Sequence, residues 1–166
     1  NQDGSLDVAL ADDSEAVDFV NTYNANGDTT LSGTKTIEGR EFQAGDKWTF
    51  NISAADGAPL PVKTETITND EGEEEETEVE VTSVEIEPTS GTSESIDFGT
   101  FKYTLEDLDG EDSKTFVYTI TESGTVGGVT NDADDDRVVK ITVTDNKDGS
   151  LDVALADDSE EVDFVN

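Results

Sequence analysis

The chain has 166 residues, and its 42 Asp and Glu against nine Lys and Arg give a formal net charge of −33. It contains no Cys and no His, which excludes a disulfide, a thiolate nucleophile, an imidazole base and a zinc site with the usual ligands. So acidic a chain repels phosphate groups, and no apolar run approaches the roughly 18 residues of a membrane-spanning helix, so we expect neither a nucleic-acid partner nor membrane insertion.

Short runs in which apolar and polar residues alternate indicate β-strands along most of the chain. In chain order the predicted strands are Thr30–Ile37, Asp46–Ser53, Val62–Ile67, Glu78–Glu87, Ser95–Leu105, Lys114–Glu122, Arg137–Asp145, Ser150–Ala156 and Glu161–Asn166. Asp148-Gly149, between the predicted strands Arg137–Asp145 and Ser150–Ala156, suits a hairpin turn, because Gly tolerates a positive φ. No helical period is sustained, so seven to nine short strands without crossover helices predict an all-β, antiparallel, immunoglobulin-like β-sandwich.

The acidic stretch Asn69–Thr77 (NDEGEEEET) interrupts this pattern. It can be a loop or an extension of an edge strand. In either case we expect its charges to be solvated and to discourage pairing with the edge of another sheet, rather than to bind a partner.

The two ends of the chain are near copies of each other. Residues Asn1–Asn21 (NQDGSLDVALADDSEAVDFVN) and Asn146–Asn166 (NKDGSLDVALADDSEEVDFVN) are identical at 19 of 21 positions, with an offset of 145 residues (146 − 1). This indicates a tandem array whose period is about one domain. We therefore predict that residues 1–23 are the tail of a preceding repeat, residues 24–29 a linker, and residues 30–166 one repeat. Near-identical domains in tandem are typical of proteins in which repetition supplies length.

Three predicted strands each carry a polar residue on an otherwise apolar face, since side chains two residues apart share a face. Lys35 lies between Leu31 and Ile37, Glu122 follows Phe116, Tyr118 and Ile120, and Asn166 follows Val162 and Phe164. Any one of them could reach water at a strand end. Three together suggest a buried polar set, and burial of charged groups is unfavourable unless they are paired or neutralised.

A neutral amine, a protonated acid and a carboxamide in one apolar pocket can react with each other. The Lys35 amine would attack the side-chain carbon of Asn166, Glu122 would carry protons, and ammonia would leave. The product would be a Lys–Asn isopeptide bond.

Four segments of the chain carry a resemblance to a known family. They are LSGTKTIEGREFQAGDKWTFNI, with Lys35; KTFVYTITES, with Glu122; GGVTNDADDDRVVKITVTDNKDGSL; and the closing VDFVN, with Asn166. In this order and spacing, over roughly Thr30–Asn166, they resemble the isopeptide-linkage domains of Gram-positive pilins and surface adhesins, such as streptococcal backbone pilins.

The resemblance implies that Lys35 is the nucleophile, Asn166 the acceptor and Glu122 the proton-transferring acid, on first and last strands that are parallel neighbours. We expect Asn166, and not its repeat equivalent Asn21, to react. The implied function is a structural stalk repeat of an extracellular adhesin or pilin, anchored to the cell wall of a Gram-positive bacterium. Its partners would be adjacent repeats, with a host or cell-surface ligand at a distal tip. Because the cross-link forms once per chain, we expect no enzyme activity and no cofactor.

Two alternatives lack a cross-link. Asp132, Asp134 and Asp136 alternate and are weak candidate calcium ligands, as is the segment Asp107–Gly110, although neither has the full spacing of an EF-hand loop. An adhesive ligand-binding sandwich would need exposed rings, for which Tyr23 and Tyr103 are the candidates. Paired carboxylates of a glycoside hydrolase are a weaker interpretation, because chance proximity is uninformative among 42 acidic residues.

Overall fold

The computed structural model describes residues 19–69, 72–132 and 136–166. These ranges form ten strands and one short 3-10 helix, Leu105–Leu108. The strands are β1 (Asn26–Thr36), β2 (Trp48–Ala54), β3 (Val62–Thr68), β4 (Glu74–Glu80), β5 (Ser83–Ile86), β6 (Ser93–Thr104), β7 (Ser113–Ser123), β8 (Asp136–Asp145), β9 (Leu151–Leu155) and β10 (Asp163–Val165). No helix in the described ranges is long and apolar enough to cross a membrane.

The strands form two five-stranded sheets. One has the order β10-β1-β6-β3-β4 and the other β5-β2-β7-β8-β9. Neighbouring strands are antiparallel, apart from the parallel pair β1 and β10. The predicted all-β immunoglobulin-like sandwich is therefore confirmed, including first and last strands that are parallel neighbours.

The core lies between the inward faces of the two sheets, because side chains alternate across each strand. In β7, Phe116, Tyr118 and Ile120 are buried and their neighbours in sequence are more exposed. Aromatic rings join the sheets: the ring centroids of Phe50 on β2 and Phe164 on β10 are 5.1 Å apart. In β7, the alternation that predicted the strand thus also predicted its buried face.

The first strand begins earlier than predicted. Residues 26–29, assigned to the linker, belong to β1 and pair with residues 101–104 of β6. Just before them, Ala25 is buried and its carbonyl accepts a hydrogen bond from the N–H of Leu105 (2.9 Å). The prediction began the strand at Thr30 because Asn26, Gly27 and Asp28 are poor strand formers, and the long partner β6 overrides that preference. The division into tail, linker and repeat otherwise stays a prediction.

The single strand predicted over residues 78–87 is wrong, because the chain crosses there from one sheet to the other. The N–H of Val81 donates to the Pro61 carbonyl (2.8 Å), whereas the Thr82 carbonyl accepts from Ile52 on β2 (2.9 Å). On one side of this crossing β4 is an edge strand that begins at Glu74. The last four residues of the acidic stretch 69–77 therefore belong to an edge strand, and exposed carboxylates cover that edge.

The N-terminal segment is anchored to the domain through Tyr23. Its hydroxyl donates to Asp145 Oδ1 (2.6 Å) and accepts from the N–H of Gly149 (3.2 Å). Gly149 has φ 97° and lies in the turn between β8 and β9, where the sequence predicted a hairpin. Residues 1–18 of the proposed tail lie outside the described residues, and Asn21 is exposed.

Gly33 allows β10 to lie directly against β1. The N–H of Thr34 donates to the Val162 carbonyl (2.8 Å). A Cβ at Gly33 would lie 2.5 Å from that same carbonyl oxygen, well inside any tolerated contact. The absence of a side chain at this position therefore sets how closely the last strand approaches the first, and with it the position of Asn166.

Candidate cross-linking site

Three strands bring Lys35, Glu122 and Asn166 together between the sheets. Lys35 lies near the end of β1, with its Cα opposite that of Phe164 on β10. Glu122 lies near the end of β7, in the opposite sheet, and its Cα faces Phe50 of β2. Asn166 follows directly after β10. The three residues singled out from the sequence thus meet at one place, although they are distant along the chain.

Lys35 is fully buried, and its amine is paired with one acid. Its exposed fraction is 0%, and its Nζ donates to Glu122 Oε2 over 2.7 Å. The Nζ also lies 5.3 Å from the centroid of the Trp48 ring. Burial lowers the pKa of the Lys35 ammonium below its ordinary value, and the hydrogen bond and charge of Glu122 oppose that shift. Because the pKa is lowered, a larger fraction of the Lys35 amine is neutral, and therefore nucleophilic, at neutral pH.

Asn166 donates to the other oxygen of the same carboxylate. Its Nδ2 lies 2.6 Å from Glu122 Oε1, so one carboxylate contacts both the amine and the amide nitrogen. The backbone of Asn166 continues the parallel pairing, since its N–H donates to the Thr36 carbonyl (3.0 Å) and its carbonyl accepts from Glu38 (2.7 Å). These bonds fix the carboxamide on the core side of β1.

The segment before β8 closes over the carboxamide. The N–H of Asp132 donates to Asn166 Oδ1 (2.9 Å). The side chain of Asn131 donates to the Gly124 carbonyl (2.8 Å), which ties this segment to the end of β7. The Asp132 carboxylate accepts from Arg137 Nη2 (2.8 Å), and the same nitrogen donates to the Asp163 carbonyl of β10 (2.7 Å).

The surroundings of Lys35 and Glu122 are largely apolar. The rings of Trp48, Phe50 and Phe164 are fully buried, and Phe42 packs edge-on against Trp48, with ring centroids 5.4 Å apart. The side chain of Glu122 is 2% exposed. In such an environment the amine and the carboxylate lose much of their hydration, so each depends on the other as its partner.

The arrangement can join Lys35 to Asn166. The amine and the carboxamide are held by the two oxygens of a single acid, which can take a proton from the first nitrogen and give one to the second. The carbonyl oxygen of the carboxamide points away from the acid toward the Asp132 N–H. The geometry therefore has the groups that such a reaction needs: an amine, a carboxamide, an acid that contacts both, and a hydrogen bond to the carboxamide oxygen.

Sequence reasoning did not identify Asp132 and Arg137 as parts of this site. Asp132 was singled out only as a weak calcium ligand, because it alternates with Asp134 and Asp136. Its role here depends on a backbone N–H, which every residue except Pro carries, so no residue pattern could have identified it. Arg137 was placed at the start of a strand, and its position over the Phe164 ring, 4.7 Å from the centroid, needed the sheet pairing to be known.

The structure gives little support to the alternative calcium sites. Asp134 lies outside the described residues, and the Asp132 carboxylate faces the guanidinium of Arg137. The Asp107 carboxylate accepts from the N–H and hydroxyl of Thr104, as a cap of the 3-10 helix. Among residues 19–69, 72–132 and 136–166 there is no group of three or more acidic residues arranged to hold a metal ion.

Tyr103, predicted as an exposed ring for ligand binding, is buried instead. Its exposed fraction is 0%, and its hydroxyl lies 2.8 Å from that of Tyr118. The prediction failed because Tyr103 lies on the inward face of β6. Which face of β6 is inward depends on the strands that pack against it. Tyr23 is 44% exposed, but its hydroxyl is engaged with Asp145. Burial raises the pKa of Tyr118 to about 12.

Comparison with known proteins bears on the same region of the chain. The family model FctA, described as a Spy0128-like isopeptide-containing domain, matches residues 31–166. The match includes all three residues of the site and confirms the resemblance seen in the sequence. No curated protein matches the chain.

Proposed function

Because the chain belongs to the family of Spy0128-like isopeptide-containing domains, and is thus a pilin-type structural domain, we propose that Lys35 and Asn166 form an intramolecular isopeptide bond. In this proposal the bond makes the domain a load-bearing stalk unit of a bacterial surface pilin or adhesin. The observation that carries it is the Glu122 carboxylate, whose two oxygens lie 2.7 Å from Lys35 Nζ and 2.6 Å from Asn166 Nδ2.

The reaction starts from the neutral pair, after a proton has passed from the Lys35 ammonium to Glu122. The Nζ lone pair attacks Cγ of Asn166, and the electrons of the carbonyl double bond move to Oδ1. Glu122 gives its proton to Nδ2 through Oε1 and takes one from Nζ through Oε2. The Cγ–Nδ2 bond breaks, ammonia leaves and the carbonyl reforms. Glu122 ends in its starting state, and one amine hydrogen has left in the ammonia.

The reaction consumes its own nucleophile and acceptor. Each chain therefore turns over once, and the domain is not an enzyme. No cofactor enters any step, since the acid, the amine and the carboxamide all belong to the chain.

The bond would change how the domain carries tension. In β1 and β10, which are parallel neighbours, force entering at the N-terminal end would pass along β1 to Lys35 and through the bond to Asn166. The 130 residues between them (36–165), which include β2 to β9, would stay unloaded.

An isopeptide bond also suits a chain without Cys. A disulfide stabilises by closing a loop but is broken by reduction, whereas an amide bond is not. We propose that the domain works outside the cell, in a cell-wall-anchored protein, and that its partners are the adjacent repeats of the same chain. The 19 identical positions of 21 in the two end segments support the tandem arrangement.

Intact mass under denaturing conditions tests the proposal. The folded parent should have lost one ammonia, and a digest should contain a branched peptide that joins Lys35 to Asn166. Lys35→Ala and Glu122→Ala should keep the full mass. Lys102→Ala, which removes a half-exposed Lys paired with Glu78, is the matched control and should still lose ammonia. A folded parent of full mass would overturn the proposal.

A further inference from the structure

We propose that the backbone N–H of Asp132 acts as an oxyanion donor during cross-linking, and that Arg137 holds it in position against the acceptor strand. The inference rests on the proposed Lys35–Asn166 bond and adds a catalytic group to it. It assigns a role to the segment that closes the site from the side opposite Glu122.

The donor is placed where negative charge develops. As Lys35 attacks, the electrons of the carbonyl move to Oδ1 of Asn166, and the Asp132 N–H already lies 2.9 Å from this oxygen. Glu122 contacts Nδ2 instead, at 2.6 Å. The two groups therefore have different roles: the acid protonates the leaving nitrogen, and the N–H stabilises the negative charge on the oxygen. A donor that is already in position stabilises such a charge without rearranging.

The position of this donor is coupled to that of the acceptor. Arg137 Nη2 donates both to the Asp132 carboxylate (2.8 Å) and to the Asp163 carbonyl of β10 (2.7 Å). Arg137 Nε donates to the same carbonyl at 3.0 Å. Because β10 carries Asn166, one guanidinium ties the segment that bears the donor to the strand that bears the acceptor. Arg137 is thus a positioning residue.

The step balances with this group included. The N–H of Asp132 keeps its proton throughout and only strengthens its hydrogen bond as Oδ1 becomes negative. When the Cγ–Nδ2 bond breaks, the electron pair on Oδ1 returns to the carbonyl, and ammonia carries away Nδ2. The finished isopeptide keeps Oδ1 as its carbonyl oxygen, so the Asp132 hydrogen bond should persist in the product.

The test measures the rate of ammonia loss in the full chain. Protein made in a short cell-free translation pulse is chased, quenched in acidic denaturant at intervals and analysed by intact mass. Asp132→Pro removes the N–H, Asp132→Ala keeps the N–H but loses the Arg137 contact, and Asp132→Asn keeps both. We expect Asn to react faster than Ala, Ala to be slower than the parent by up to about tenfold, and Pro to be slower by about 100-fold or more.

The ratio of the Ala and Pro rates isolates the N–H from the carboxylate. If the parent loses ammonia and these two variants react at equal rates, this inference is overturned and the proposed function stays intact. A parent that keeps its ammonia would overturn both. A thermal melt of Asp132→Pro in the Glu122→Ala background, where no bond can form, shows whether the substitution affects folding itself.

Hydrogen exchange provides a second measurement that does not depend on Asp132→Pro folding. The amide of Asp132 should be protected in the parent and exchange at least about tenfold faster in Asn166→Ala, which lacks the acceptor oxygen. The rate is taken relative to the core amide of Ile120, to correct for a change in global stability. An Asp132 amide that exchanges like an exposed loop amide in the parent would overturn the inference.

Discussion

Replacing Asn166 by Ala should lower stability mainly by removing a covalent loop. The proposed bond closes a loop whose ends are 131 positions apart (166 − 35), and the chain-entropy relation gives such a loop about 5 kcal/mol at 25 °C. At roughly 2–4 °C per kcal/mol for a domain of this size, the melting temperature should fall by about 10–20 °C. In the variant the free Lys35 amine has Glu122 as its partner, 2.7 Å away, so the buried amine is not left unpaired.

Calorimetry or thermal circular dichroism on parent and variant measures this difference. Asn21→Ala is the matched control, because Asn21 is the repeat equivalent of Asn166 and is exposed, and it should melt with the parent. Glu122→Ala should be less stable than Asn166→Ala by roughly 3 kcal/mol, since it also leaves Lys35 buried without its acid. If the parent has lost ammonia and yet melts with Asn166→Ala, the entropic account of the cross-link is refuted.

Three further predictions concern force, pH and packing. When the domain is pulled from its termini in single-molecule force spectroscopy, the cross-linked parent should not release the chain between Lys35 and Asn166. Asn166→Ala should release that chain, about 450 Å; equal lengthening of the two proteins would refute the proposal that the bond shields the sandwich from tension. Burial lowers the pKa of Lys35 below 10.5, so in Asn166→Ala the unfolded chain binds more protons than the folded chain between the lowered pKa and 10.5, and stability should rise with pH through that interval. Denaturant midpoints measure this, and a rise that persists when Lys35 is also replaced by Met would contradict it. Gly33→Ala would place a Cβ 2.5 Å from the Val162 carbonyl oxygen and should slow ammonia loss in a chase experiment, whereas Gly127→Ala, whose Cβ would meet nothing within 4 Å, should not; identical rates would show that β10 accommodates the methyl group.

The sequence predicted the strands well because their signal is local. Alternation along β7 identified both the strand and its buried face, and Glu122 appeared as a polar residue on that face. The same reasoning placed Lys35 and Asn166 on apolar faces, and the structure brings all three together. Their chemical roles still depend on the mass measurement.

Strand partners could not be predicted in the same way. The run over residues 78–87 keeps its alternation while the chain passes from one sheet to the other at Val81 and Thr82. Alternation records only that a strand has two faces, and not which strand lies beside it. Tyr103 was misjudged for a related reason, since its burial follows from the strands that pack against β6.

The amino-acid sequence alone determined an acidic all-β chain with three polar residues on buried faces, because side-chain period and composition are properties of neighbouring residues. Tertiary structure decided that one carboxylate contacts both Lys35 and Asn166, and that the N–H of Asp132 meets the acceptor oxygen. These contacts join positions as far apart as 35 and 122. They depend on strand pairing over long distances and on a backbone group common to nearly every residue, and neither has a local signature.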